Sequence, residues 1–131
     1  MAEPQPVDFK TLQLPSSPNY YLMCPENYCA ATPNEISPIF KRSLVSAELA
    51  WQRIVAKQPR TQLLSRDSHE HQFFYVQRSL IFRFPDYITV QIIPLTATTT
   101  TIAIYSHSKY GYSDLGMNKK RVQSWVAELM K

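Results

Sequence analysis

Most of the chain after residue 40 divides into two stretches of helical spacing that flank four runs of strand-like alternation. The first stretch carries Leu44, Ala47, Leu49, Trp51, Ile54 and Val55, rich in good helix formers, behind a Ser43 that can act as N-cap. This helix is expected to end near Lys57-Gln58, because Pro59 disfavours α conformation in the residue before it. Strands are predicted over 61–65, 71–84, 87–94 and 100–107. The longest alternates Phe74, Val76, Arg78, Leu80, Phe82 and Phe84 against Phe73, Tyr75, Gln77, Ser79 and Ile81. The connectors 66–70, 85–86 and 95–99 are short and polar, which favours antiparallel neighbours, since a parallel return needs a longer crossover. A closing helix over 117–130 turns Val122, Trp125, Val126 and Leu129 inward and Lys119, Lys120, Gln123 and Glu128 outward.

Residues 1–40 carry seven of the ten prolines, a density that opposes helix and central strand. An irregular arm is predicted there. Its apolar residues, Phe9, Leu12, Tyr21, Leu22 and Phe40 among them, are too numerous for a solvated tail and point to packing along the domain. The division is therefore an arm over 1–40 and a core over 41–131 within one domain. The expected fold class is α+β: a two-layer sandwich of a four-stranded antiparallel meander sheet with two helices on one face.

Composition narrows the function classes. The 131 residues, 44% hydrophobic and 18% charged, suit a single globular domain. The net charge of +4 indicates a preference for anions, but there is no long basic block, so a nucleic-acid partner is not expected. No run is long and apolar enough for a transmembrane segment, and the start lacks the basic and apolar regions of a signal peptide. The chain reads as soluble. Its expected location is the cytoplasm, or the cell envelope if an amino-terminal export segment has been removed.

The two glycines, Gly111 and Gly116, fall inside Ser106-His-Ser-Lys-Tyr-Gly-Tyr-Ser-Asp-Leu-Gly-Met-Asn-Lys-Lys-Arg121, the densest polar run of the chain. In a sequence otherwise without glycine, these positions are expected to need positive φ. Asp114 or Asn118 can cap the last helix, and Lys119, Lys120 and Arg121 then occupy its first turn. Cations there oppose the helix dipole, so an acidic partner or anionic ligand is expected nearby, unless Arg121 pairs with Asp86 or Asp114. The candidate ligand-binding residues are Asp86, Ser106, His107, Ser108, Lys109, Gly111, Ser113, Asp114, Gly116, Asn118 and Arg121. No catalytic or cofactor motif accompanies them, and no cofactor or metal is expected. There is no G-x-S-x-G, and neither cysteine has a histidine beside it in sequence.

Other chemistry-bearing residues give weaker signals. His69 and His71 flank Glu70 in a predicted hairpin tip, without further ligands at a metal-binding spacing. Cys24 and Cys29 form a C-x4-C pair that can close as a disulfide or remain as two thiols. The aromatic runs Phe73-Phe74-Tyr75 and Phe82-Arg-Phe84 can serve as core under the arm, or as a stacking platform for single-stranded bases. The first use is favoured.

Three segments resemble the bacterial and plant-plastid domain of unknown function family 1499. The run Ser106–Arg121 is similar to that family's S-x-S-R-x-G-Y-S-D-L-G-x-N-R-x-R element. Arg78-Ser-Leu-Ile-Phe-Arg-Phe-Pro-Asp86 is similar to R-S-x-x-F-R-F-x-D, and Cys24-Pro-Glu-Asn-Tyr-Cys-Ala-Ala-Thr32 to C-P-x-x-x-C-V-S-S. Lys109 stands where the family usually has arginine, Tyr87 where a second aspartate is common, and Ala30-Ala31 where Val-Ser is usual. A planar guanidinium grip and a paired carboxylate are thereby softened. The resemblance implies no established activity and suggests a cell-envelope location.

Three functions are compatible with these residues. The first is a small binding or interaction domain with a mildly basic loop site for an anionic small molecule or an acidic protein segment. The alternative is a hydrolase using Asp86 or Asp114 as base, with Lys109 and Arg121 stabilising negative charge. The second alternative is a purely structural motif. Deep enclosure and a raised carboxylate pKa would favour the enzyme; a shallow, salt-bridged arrangement would favour binding or structure.

Overall fold

The computed structural model describes residues 3–111 and 113–131; Met1 and Ala2 of the arm and Tyr112 of the glycine run lie outside the described residues. In chain order the elements are β1 (Tyr20–Cys24), β2 (Glu35–Ile36), α1 (Leu44–Ala56), β3 (Thr61–Asp67), β4 (Gln72–Arg78), β5 (Pro85–Pro94), β6 (Thr100–Ser108) and α2 (Met117–Leu129). They form an α+β fold with one mixed sheet in the order β2-β1-β6-β5-β4-β3.

The α1 helix starts where the sequence predicts, with the Ser43 hydroxyl accepting from the Ser46 amide at 3.2 Å, and its C-cap is Lys57. The antiparallel meander β3-β4-β5-β6 is also present. The four-stranded prediction is corrected by two strands in the arm. Prolines 18 and 25 bracket Tyr20–Cys24 without interrupting it, so this run pairs antiparallel with β6, Tyr21 opposite Ser106. The two-residue β2 then pairs parallel with β1. This parallel neighbour is reached through a short loop held by Cys24–Cys29, joined as a disulfide, and by Asn34, whose side-chain oxygen accepts from the Leu22 amide at 2.8 Å.

A second correction concerns the loop between β4 and β5. The strand predicted to reach Phe84 ends at Arg78, and Pro85-Asp86, predicted as the turn, begin β5. Residues 79–84 instead close on themselves. The Ser79 amide donates to the Phe84 carbonyl at 3.0 Å, the Phe84 amide donates to Ser79 Oγ at 2.9 Å, and Arg83 turns the chain at φ +60°.

Alternation along the strands gives the sheet two apolar faces. One carries Phe73, Tyr75, Ile88, Val90, Ile102 and Ile104, and both helices pack on it through Trp51, Val55, Val122 and Trp125. Trp125 meets the edges of Trp51 and Tyr75 at centroid distances of 6.1 and 6.3 Å. The opposite face carries Leu22, Ala103 and Tyr105 under Phe9, Leu12 and Leu14 of the arm. Polar links fasten the arm there. The Val7 amide donates to Thr89 Oγ1 at 3.1 Å, and Tyr28 donates to Gln91 at 2.7 Å. No helix among the described residues is long and apolar enough to cross a membrane.

Candidate functional site

The helix-covered face continues past its apolar core into polar residues at the end of the sheet that meets the start of α2. Because partners in a ladder share a face, Gln77, Asp86 and Ser108 lie in one row across β4, β5 and β6, and Ser106 sits one step inward beside Ile88. Asn118 and Arg121, one helical turn apart on the buried side of α2, point onto that row.

Arg121 is the hub. Its side chain is only 7% exposed, and it donates to four residues: Asp86 at 2.9 Å, Ser106 at 3.0 Å, Asn118 at 2.8 Å, and Gln77. Asn118, fully buried, uses both ends of its amide. Its oxygen accepts from Ser106 at 2.6 Å and from Arg121, while its nitrogen donates to Asp114, to Ser108 at 2.9 Å, and to the Asn19 carbonyl at 3.1 Å. A buried guanidinium is tolerated only when its donors are satisfied, and here a carboxylate and three neutral acceptors satisfy it.

Asp114 fastens the glycine run. One oxygen accepts from the Gly116 amide at 2.9 Å, and the other from the Asn118 amide at 3.1 Å, so it caps α2 although Gly116 occupies the N-cap position. Both glycines have positive φ, +86° at Gly111 and +80° at Gly116, as their isolation in the sequence predicts. Asn19, just before β1, donates to the Gly111 carbonyl at 2.7 Å and ties the arm to the same loop.

The candidate residues divide between the two faces of the sheet. Asp86, Ser106, Ser108, Asp114, Asn118 and Arg121 come together beneath α2. His107 alternates to the arm side, stacked on Tyr105 at 4.7 Å and near Tyr87 at 6.0 Å. Lys109 lines the recess on that side with Pro4, Gln5, Tyr87 and His107, and extends over the Tyr110 ring at 5.4 Å. Burial lowers the His107 pKa below its usual 6.5, and the Asp86 charge offsets this in part. Ser113 bonds locally, accepting from the Leu115 amide at 3.3 Å.

Above the polar cluster lies a surface groove of about 480 Å³. Asp86, Ser108 and Arg121 line it, with the apolar Leu80, Phe84, Tyr110 and Met117 and the cations Arg60 and Arg78 around them. Phe84 joins the two flanking loops, meeting Phe82 at 5.5 Å and Tyr110 at 5.8 Å. Reading the sequence by motif misses three participants. Asn19 and Gln77 lie outside the glycine run, yet Gln77 had a signal: it is the polar step in the row Phe73, Tyr75, Gln77, where a buried face continues. The groove residues of 79–84 were assigned to a strand.

Elsewhere, His71 Nδ1 lies 2.9 Å from Glu48 Oε1, and Arg66 pairs with the same carboxylate at 3.2 Å. Among the described residues no group of three or more histidine, cysteine or acidic side chains is placed to hold a metal ion. The aromatic run Phe73-Phe74-Tyr75 is buried as core, but Phe82-Arg-Phe84, expected as core too, is corrected: the strand ends at Arg78, and Phe82 and Phe84 are exposed on the loop that follows.

A search of curated proteins finds no match. The family model described as "Protein of unknown function (DUF1499)" matches residues 10–129, which include the disulfide loop, the 79–84 loop and the glycine run, and the chain therefore belongs to that family.

Proposed function

We propose that this chain is a non-enzymatic binding domain, in which the buried network around Arg121 is a pedestal and the loops above it, 79–84 and 109–116, present the surface that takes an anionic ligand or acidic partner. The observation that carries this reading is the distribution of charge. Arg121 and Asp86 neutralise each other, whereas Arg60, Arg78, Arg83, Lys109, Lys119 and Lys120 make no ion pair among the described residues. Lys10, Lys41, Arg42, Arg53 and Lys57 are also without an ion pair, but the six named first are the ones placed on the loops, the strand ends and the first turn of α2 around the polar cluster.

The structural alternative is absorbed here as the role of the network, since Asp114 acts as cap and Asp86 as counter-ion. The hydrolase reading loses support. His107 is on the arm side of the sheet, opposite the face on which Asp86 and Asp114 join the Arg121 network, and Lys109 shares that recess. The Cys24–Cys29 disulfide favours an oxidising compartment, which agrees with the cell-envelope location suggested by family resemblance.

Thermal shift with phosphate, citrate, nucleotides and an acidic peptide tests the reading, because a ligand held by the folded state raises apparent stability by about 2.7 kcal/mol at a hundred times its Kd. Anions are expected to raise the melting temperature of the wild type, with a smaller rise in Lys109→Ala and Arg83→Ala. If no anion in this panel stabilises the protein, the binding reading fails.

A further inference from the structure

The loops above the pedestal carry apolar side chains that nothing among the described residues covers. Ile81 is 78% exposed, Phe82 73% and Leu115 96%, with Leu80 close behind. These are the most exposed large apolar residues of the described chain, and all four sit at one end of the molecule. They are held outward by local structure. The Ser79 and Phe84 bonds close the first loop, Arg78 Nη1 donates to the Arg83 carbonyl at 3.2 Å, and Asp114 and Ser113 hold the turn that presents Leu115. The Phe82–Phe84–Tyr110 contacts make one patch of the two loops.

Charge selects the occupant. This end holds six of the eleven basic residues that make no ion pair among the described residues, the Arg121–Asp86 pair and one further carboxylate, Asp114. Seven of the fourteen basic residues are thus grouped with two of the ten acidic ones, a local charge of +5 against −1 for the rest of the chain. Arg83 lies between Phe82 and Phe84, and Lys119 and Lys120 are exposed on the first turn of α2, so cations and apolar side chains are interspersed along the exposed segments of this end. Leu80, Ile81, Leu115 and Phe82, exposed beside these cations, suit a soft partner with an anionic layer over an apolar interior. Three of these four tips are aliphatic and offer no stacking face to nucleic-acid bases.

We propose that this end docks on an anionic lipid bilayer, with Leu80, Ile81, Phe82 and Leu115 entering the acyl boundary and the flanking cations lying among the headgroups. The inference rests on the binding reading above and names its partner. The Arg121 network supplies the rigid mount that lets the tips enter without first being ordered.

Co-sedimentation with phosphatidylcholine vesicles, with and without phosphatidylserine, tests it on the whole chain. Binding is expected only with phosphatidylserine and should fall as salt rises. Ile81→Ser with Phe82→Ser should weaken it by about tenfold or more. Arg83→Ala and Lys119→Ala should each weaken it by about fivefold. All four positions are exposed, and a melting temperature no lower than that of the wild type confirms that each variant folds. Phe82→Trp adds a direct readout: the emission of the introduced indole should shift to the blue on anionic vesicles, while Trp51 and Trp125 stay buried.

Equal sedimentation with and without phosphatidylserine, full binding by the loop variant, or an unshifted emission from the Phe82→Trp variant would each overturn the proposal. If phosphate or citrate stabilises the protein but vesicles do not bind it, the bilayer inference fails and the binding reading stands. If neither binds, both fail. Capture of the acidic peptide through these loops without vesicle binding would also overturn it, assigning the surface to a protein partner.

Discussion

Replacing Arg121 with methionine tests whether the polar cluster holds the fold together. Methionine keeps most of the length and apolar volume of the arginine stem, so the change isolates four hydrogen bonds and one charge. It leaves the Asp86 carboxylate, 16% exposed, without its counter-ion, and frees Gln77 at the margin. Removing one partner of a fully buried ion pair costs about 3–5 kcal/mol, and the residual solvent access of Asp86 places this site near 3 kcal/mol. For a domain of this size that is about 10 °C in melting temperature, or about 1.5 M in the urea midpoint. Asp86→Asn alone should cost about 1.5–3 kcal/mol, because Arg121 keeps its neutral acceptors. Once Arg121 is gone, neutralising Asp86 should cost little or restore stability. The double-mutant cycle should therefore show a coupling of about 2 kcal/mol. Urea denaturation at constant slope measures each corner. A loss below about 1 kcal/mol for Arg121→Met, or a cycle that is additive within about 0.5 kcal/mol, would refute the scaffold role.

Two further outcomes follow from residues on the arm side of the sheet. His107 has a folded-state pKa below its ordinary 6.5, so the unfolded chain takes up its proton first; stability present above pH 6.5 should be lost as pH falls through 6.5 towards the lowered value, and His107→Gln should flatten that slope in pH-dependent melting. Cys29→Ser should cost about 2 kcal/mol, because the disulfide spans a sequence separation of 5 and closes a short loop; wild type measured in reducing buffer should lose a similar amount in urea denaturation.

Where local chemistry decides an element, the sequence was legible. Ser43 capped α1, Pro59 lay just beyond its end, and the two lone glycines took positive φ. The meander followed from short connectors, and the arm did cover one face of the sheet. What stayed hidden depended on partners distant in sequence. Tyr20–Cys24 is a strand because β6 offers it an edge, and five residues between prolines do not announce that edge. The alternation through Leu80, Phe82 and Phe84 was real but misleading: period two reports the spacing of apolar side chains, not whether anything covers them. In the glycine run the same periodicity was informative and went unused. It separates Ser106 and Ser108 from His107 and Lys109, which motif proximity had grouped into one site. Gln77 and Asn19 joined the network through the sheet register and the folding back of the arm, neither of which a local window contains.

The first turn of α2 links the Arg121 network to the proposed binding surface through a local conflict. Lys119, Lys120 and Arg121 stand at the positive end of the helix dipole, where each cation costs about 0.3–1 kcal/mol. Asp86 neutralises Arg121, and Asp114 supplies negative charge to the first turn, but Lys119 and Lys120 are exposed and unpaired among the described residues. Some of that cost therefore persists in the free protein. Stability alone would favour its removal, and an anion docked at this end would relieve it. The two effects have opposite signs in one experiment. Lys119→Ala with Lys120→Ala should stabilise the free protein by about 0.5–1.5 kcal/mol, at the low end in high salt, while reducing its stabilisation by phosphate. A double variant that is less stable than wild type, or that keeps the full response to phosphate, would mean that these lysines are a solvated surface and that the conflict does not drive binding.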